Sequence, residues 1–155
     1  VQNDYEIGPG TILKVFSVEE TAEIEKSWMN IFCKNKQGFN TKAYKWQIFS
    51  GGGYPSVDGD AAREEYKMQS AEKFVMLPND GGNAVLTDCL PQACCLSDYY
   101  VFPLNMAWVM AFTHEEGWLG PYFAKHKNYN ALNKDNLMQV KKAQQKAEAK
   151  KKGWI

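Results

Sequence analysis

Apolar and polar positions along the chain change period several times, and each change marks an element. Between Val18 and Phe32 the apolar residues Ile24, Trp28, Ile31 and Phe32 recur at helical spacing, so the segment reads as an amphipathic helix. Ser17-Val18-Glu19-Glu20 supplies a capping box, in which the serine hydroxyl takes an orphan amide and Glu20 reaches back to the cap. Glu19, Glu20, Glu23 and Glu25 crowd the early turns, where the helix dipole favours negative charge, and Gly38 and Asn40 punctuate the exit. From Ala43 to Ser50 the period drops to two, with Tyr44, Trp46 and Ile48 set against Lys45 and Gln47, which predicts a strand. Gly51-Gly52-Gly53-Tyr54-Pro55 follows as a mobile loop, and a second helix is expected from about Asp60 to Ser70, capped by Asp58 or Asp60.

The second half is richer in strand signals. Lys73 to Leu77 reads as a short apolar strand stopped by Pro78, and Asn79-Asp80-Gly81-Gly82-Asn83 is a turn that closes a hairpin onto Ala84 to Thr87. Asp88 to Leu96 fits a helix or an irregular connection equally well. Tyr99 to Phe102 and Ala107 to Thr113 flank Pro103-Leu104-Asn105-Met106, and their composition predicts a hairpin whose second strand is central and buried on both faces. Glu115-Glu116-Gly117 ends that strand, and a polar link with Asn128, Asn130 and Asn133 comes after Phe123. A Lys-rich helix from about Lys134 to Lys152 closes the chain. Its apolar stripe is short (Leu137, Met138, Val140), so its second half is expected to stand in solvent. Gly153 suits a C-cap, and Trp154-Ile155 is an apolar end that must dock or meet a partner. Together these elements predict an α+β fold: a mainly antiparallel sheet packed by helices over residues 1–133, with the Lys-rich helix of residues 134–155 attached to the same domain.

Composition narrows the class. A chain of 155 residues, 45% hydrophobic and 14% aromatic, builds one core without help from disulfides or metal. The apolar run Ala107 to Phe112 falls far short of the roughly 20 residues of a spanning helix. The polar opening Val1-Gln2-Asn3-Asp4 does not read as a signal peptide, so a soluble cytoplasmic protein without membrane attachment is expected. Of the 18 basic residues only Arg63 is arginine, and the scarcity of that bidentate donor argues against nucleic acid as a partner. Charge is unevenly placed: residues 1–120 hold nine basic and sixteen acidic groups, while residues 121–155 hold nine and two. Such polarity matters for steering a charged partner rather than for the fold.

Candidate chemistry is sparse. Cys33, Cys89, Cys94 and Cys95 lack zinc-knuckle spacing, and the adjacent pair is awkward for a disulfide, so buried thiols acting as small hydrophobes are expected. Gly51-Gly52-Gly53 is a phosphate cradle only if it opens a helix, and no G-K-[ST] follows. His114 stands at the end of the predicted central strand beside Glu115 and Glu116, a place suited to acid–base work or a metal. His114-Glu115-Glu116-Gly117-Trp118 is not H-E-x-x-H, however, and a structural histidine that holds the loop is the first expectation. His126, twelve residues on, stands near enough in sequence to meet His114 across the intervening loop. Trp28, Trp46 and Trp108 fall on predicted core faces, whereas Trp118 and Trp154 fall in a loop and at the terminus, as interface anchors do.

The stretch Tyr99-Tyr100-Val101-Phe102-Pro103 … Trp108 … Thr113-His114-Glu115 … Gly120-Pro121-Tyr122-Phe123 resembles a family of small bacterial domains of unknown function, in which an aromatic strand ends in Thr-His-Glu and leads to Gly-Pro-Tyr-Phe. Trp46-Gln47-Ile48-Phe49-Ser50 and Gly59-Asp60-Ala61-Ala62 fit the same pattern loosely, so the resemblance spans roughly residues 44–123 and leaves out the Lys-rich helix. It implies a bacterial α+β domain and supplies no activity.

The expected function is a small protein-binding protein, of the bacterial immunity or inhibitor type that neutralises a toxin, as a monomer or weak dimer with no cofactor or metal. Its expected contact residues are Trp118, Lys142, Lys146, Lys150 and Trp154. The competing expectation is a hydrolase, metal-assisted or not, using His114 with Glu115 or Glu116. A third is a regulatory module whose Lys-rich helix docks an acidic surface.

Overall fold

Three five-residue runs without a polar face fix the architecture: β4 (Phe74–Pro78), β7 (Tyr99–Pro103) and β8 (Trp108–Phe112). Successive side chains on a strand point to opposite faces, so a run that is apolar throughout must be covered on both sides. Val75, Leu77, Tyr100, Phe102, Val109 and Ala111 pack with Trp28 and Phe32 of α1 (Val18–Phe32) in one core cluster. Their neighbours Phe74, Met76, Tyr99, Val101, Trp108 and Met110 pack with Ala62 and Tyr66 of α3 (Gly59–Lys67) in the other. The computed structural model describes residues 6–34, 43–115 and 118–153.

Around these runs the seven-stranded sheet takes the order β2-β5-β4-β7-β8-β9-β3, with every pairing antiparallel. Here β2 is Ile12–Val15, β3 Val57–Asp58, β5 Val85–Thr87 and β9 Tyr122–Lys125. A separate ribbon pairs β1 (Ile7–Gly8) with β6 (Ala93–Cys94), which resolves the ambiguous stretch after Asp88 as an irregular connection with a two-residue strand. The expected α+β fold with a mainly antiparallel sheet is the one observed, and the β7–β8 hairpin lies inside that sheet. The first helix keeps its expected bounds. Its capping box is formed, with Ser17 Oγ accepting from the Glu20 amide at 3.1 Å and Glu20 accepting from the Ser17 amide at 3.0 Å.

Three expectations are corrected. Residues 43–50 do not form a strand: α2 (Gln47–Ser50) is a short helical turn. Trp46, Ile48 and Phe49 are all buried, and a strand would send adjacent residues 48 and 49 to opposite sides. The triglycine is tied to this turn, since the amides of Gly51, Gly52 and Gly53 donate to Gln47, Phe49 and Ile48 carbonyls at 2.9, 3.1 and 2.8 Å. Those amides are therefore spent, and the segment is neither a loose loop nor a phosphate cradle.

The closing helix, α4 (Tyr129–Lys151), begins before Lys134 and is seated on residues other than the expected stripe. Leu137 and Met138 are 51% and 48% exposed. Contact comes from the first turns instead. Tyr129 donates to Gln69 at 3.1 Å, the Asn105 amide donates to the Leu132 carbonyl at 3.0 Å, and buried Asn136 donates to Asn105 at 3.2 Å. The rest of α4 carries its lysines into solvent.

Candidate functional site

The β7–β8 register sets up the polar corner of the molecule. Tyr99 stands opposite Phe112, so Asp98, one residue before β7, and His114, two residues beyond β8, meet at the same end of the sheet. The Asp98 side chain is only 6% exposed and accepts four hydrogen-bond contacts from two residues. His114 Nδ1–H reaches both carboxylate oxygens at 2.9 and 3.0 Å, the His114 amide reaches Oδ1 at 3.0 Å, and the Trp46 indole reaches Oδ1 at 2.9 Å. A carboxylate can only accept, so Nδ1 carries a proton and Nε2 faces outward.

The His114 ring leans on Tyr44 at 5.0 Å and lies 6.0 Å from Trp46. Its Nε2 is 3.6 Å from Glu115 Oε1. The hydrogen bond that His114 donates to Asp98, helped by the charges of Asp98, Glu115 and Asp80, holds the His114 pKa above the ordinary imidazole value. Behind the ring a second network fixes the residues before α2. Tyr100 OH donates to Asn79 at 2.8 Å and accepts the Trp46 amide at 2.9 Å, while Asn79 also accepts from the Lys45 amide and donates to the Ala43 carbonyl. Burial drives the Tyr100 phenol well above its usual pKa, so it remains a neutral donor.

The loop after β8 is fastened at its base. Thr113 Oγ1 donates to the Leu119 carbonyl, and the Trp118 and Leu119 amides donate to the Glu115 carbonyl at 3.0 and 2.8 Å. Gly120 takes φ +89°, and a Cβ there would lie 2.9 Å from the Thr113 methyl, so the close return of the chain requires glycine. Tyr122 then stacks on Trp46 at 6.3 Å. Each described residue of the Thr-His-Glu and Gly-Pro-Tyr-Phe stretches thus takes part in the corner or the sheet. Out of this fixed base Trp118 projects with 83% of its surface exposed.

The remaining expected residues fall elsewhere. Lys142, Lys146 and Lys150 are exposed and follow one another at helical i,i+4 spacing on α4, whose seat lies by the β7–β8 turn, at the sheet end opposite Trp118. Glu116 and Trp154 lie outside the described residues. His126 does not approach His114: its amide donates to the Ala107 carbonyl at 2.9 Å, at the start of β8 rather than its end. Among the cysteines Cys33 is buried as expected, Cys89 and Cys94 are half-buried, and Cys95 is exposed.

Chemically, Asp98 and His114 supply two members of a hydrolytic triad, the orienting carboxylate and the imidazole. A groove of about 410 Å³ runs beside them, lined by Cys94, Ser97, Thr113 and His114 among others. Within the described residues no hydroxyl or thiol bonds to Nε2, and the Thr113 hydroxyl is already committed to Leu119. Burial raises the Cys94 thiol pKa, which works against a thiolate. Among the described residues no three His, Cys, Asp or Glu side chains converge as a metal-holding group. Asp98, the centre of this corner, was missed by motif reading. The available signal was the hairpin itself, because pairing 99 with 112 necessarily brings an acid at 98 to a histidine at 114.

Fold and site therefore define an α+β domain with an aromatic, hydrogen-bonded corner that presents a single tryptophan. The chain belongs to the family described as a domain of unknown function, DUF4275, whose match covers residues 14–123. That span runs from β2 to β9 and stops before α4. No curated protein and no solved structure shows a significant match to the chain. No helix among the described residues is long and apolar enough to cross a membrane.

Proposed function

We propose that this chain is a protein-binding module that grips its partner through the Trp118 loop. The observation that carries the reading is Trp118 itself, 83% exposed on a loop whose base is tied by Thr113, the Glu115 carbonyl and the Asp98–His114 pair. An exposed indole held on a fixed base gives large contact area at a small ordering cost, which is why tryptophan dominates binding hot spots. The excess of acidic groups over residues 1–120 adds electrostatic steering of a basic partner surface. The narrower form of this reading is a bacterial immunity-type inhibitor, which further requires that the partner lose its activity when bound.

The hydrolase alternative draws on the Asp98–His114 pair. Its weakness is the nucleophile: the Thr113 hydroxyl is committed to the Leu119 carbonyl, and burial raises the Cys94 thiol pKa, so neither neighbour of the ring is activated for attack.

The test is paired affinity capture with the wild-type chain and Trp118→Ala, each tagged at the N-terminus, followed by titration calorimetry with the captured protein. A stoichiometric partner held by wild type and weakened at least roughly tenfold by Trp118→Ala, with unchanged melting, supports the reading. A partner held equally by both, or none held by either, overturns it. Loss of the partner's own activity on binding decides the narrower form.

A further inference from the structure

At the end of the sheet opposite Trp118, the last turn of α1, the tyrosine after the triglycine and the residues after β9 enclose a pocket of about 270 Å³. Phe32 and Tyr54 form its apolar floor, and Asn30, Lys34, His126 and Lys127 stand around it. The floor is held in place. Tyr54 packs edge-on against Phe32 at 5.2 Å and Phe49 at 6.1 Å, and its hydroxyl donates to the Lys125 carbonyl at 2.5 Å. His126 is fixed too, with its amide on the Ala107 carbonyl and its Nδ1 accepting the Asn128 amide at 2.9 Å. With Nδ1 acting as acceptor, the neutral ring must carry its proton on Nε2, so His126 remains a donor without being charged.

Positive charge collects here without a counter-charge: neither Lys34 nor Lys127 makes an ion pair with any carboxylate among the described residues. Their field is felt by His126, whose pKa is lowered by burial first and then by Lys127 and Lys34. We propose that this pocket binds a small anion, a carboxylate or phosphate monoester, carried on a flat apolar body that lies on Phe32 and Tyr54. Lys34, Lys127, the His126 Nε2–H and the Asn30 amide take the anionic head. The volume lies just below the roughly 300–1,000 Å³ of pockets for drug-sized molecules, which sets the ligand as a single-ring compound rather than a dinucleotide. This site shares no residue with the Trp118 loop and stands whether or not the binding-module reading does.

The lysines of α4 provide an internal control, being exposed cations that line no apolar floor. The experiment is a two-dimensional NMR titration of the full chain with phenyl phosphate and with benzoate, using inorganic phosphate and phenol as the separated halves. At least one of the two whole probes should give saturable shifts at the amides of 30–34, 53–54 and 126–127, at least roughly tenfold tighter than either half. Whichever saturates at lower concentration identifies the head group. The double variant Lys34→Gln, Lys127→Gln should weaken binding at least roughly tenfold, and Lys34→Arg, Lys127→Arg should restore it. Shifts concentrated on α4, an unaffected double glutamine variant, or no saturable shift would overturn the proposal.

Discussion

The chain has two histidines, and they stand at opposite ends of β8 in opposite surroundings. His114 leans on a buried carboxylate that raises its pKa, whereas the His126 pKa is lowered by burial first and then by Lys127 and Lys34. The first end is saturated with hydrogen bonds: Asp98, Asn79, Tyr100 and Thr113 each tie one segment to another. The second end has a fixed floor, and the cations at its rim, Lys34 and Lys127, make no ion pair among the described residues. Residues that are fully satisfied within the chain hold the fold, while cations above a rigid floor with no ion pair among the described residues are the groups proposed above to take an anion. The large apolar side chain that this corner exposes, among the described residues, is Trp118, the grip proposed above for a partner.

The largest expected effect comes from emptying the Asp98 position. Asp98→Ala strands the buried Trp46 indole and the His114 amide and loosens three chain segments at once. At about 1–3 kcal/mol for each donor left unpaired, the loss should reach about 3 kcal/mol in urea unfolding at neutral pH. Asp98→Asn, which keeps the shape and an acceptor, should lose roughly half as much. Lys34→Gln at the other end should stay within about 0.5 kcal/mol of wild type. Comparable losses at both ends would erase the contrast between a structural corner and a free one.

Next comes Gly120→Ala. The substitution keeps φ at +89° in a region unfavourable to a Cβ and places that atom 2.9 Å from the Thr113 methyl and 3.1 Å from the Tyr122 ring. Backbone strain of about 1–2 kcal/mol plus a contact that Thr113 cannot relieve without releasing Leu119 should cost about 2–3 kcal/mol by chemical denaturation. Because the fastened loop presents Trp118, the same variant should also weaken any partner that Trp118→Ala weakens. A fully stable Gly120→Ala chain would mean that the loop base is looser than its hydrogen bonds indicate.

Much of the fold was legible because a strand buried on both faces and a helix with a capping box leave strong local patterns. Tyr99 to Phe112 and Ser17 to Phe32 are such segments, and both formed as expected. Residues 43–50 misled because alternation over five residues also describes an extended entry into a turn, and only long-range partners (Asn79 and Tyr100) decide between them. The edge strands β2 and β3 escaped because four- and two-residue strands take their stability from the neighbour they pair with, Leu13 and Val57 remaining partly exposed. On α4 the visible apolar residues were the wrong guide, since Asn105 and Asn136 seat the helix by hydrogen bonds that carry no periodic signal. At the site, His114 and Trp118 were legible as rare residue types in loops. Asp98 and the cluster around His126 were not, because each depends on elements far apart in sequence.

The smallest effect sharpens the comparison most directly: the titration of the two imidazoles. By proton NMR, the His114 midpoint should lie above about 6.5 and the His126 midpoint below it. For His114 the folded state binds its proton more tightly than the unfolded chain. Its stabilising contribution is therefore complete below about pH 6.5 and disappears as pH rises through the folded midpoint. For His126 the folded state resists protonation, so stability falls as pH drops from about 6.5 through that lower midpoint. The two slopes have opposite signs and adjoining windows, giving the wild-type chain its broadest stability near the point where they meet. Asp98→Asn should bring the His114 midpoint down towards 6.5 and leave His126 where it was, removing the alkaline-side slope alone. Movement of both midpoints in that variant would show that the two ends of β8 are electrically coupled, and the separation drawn between them would fail.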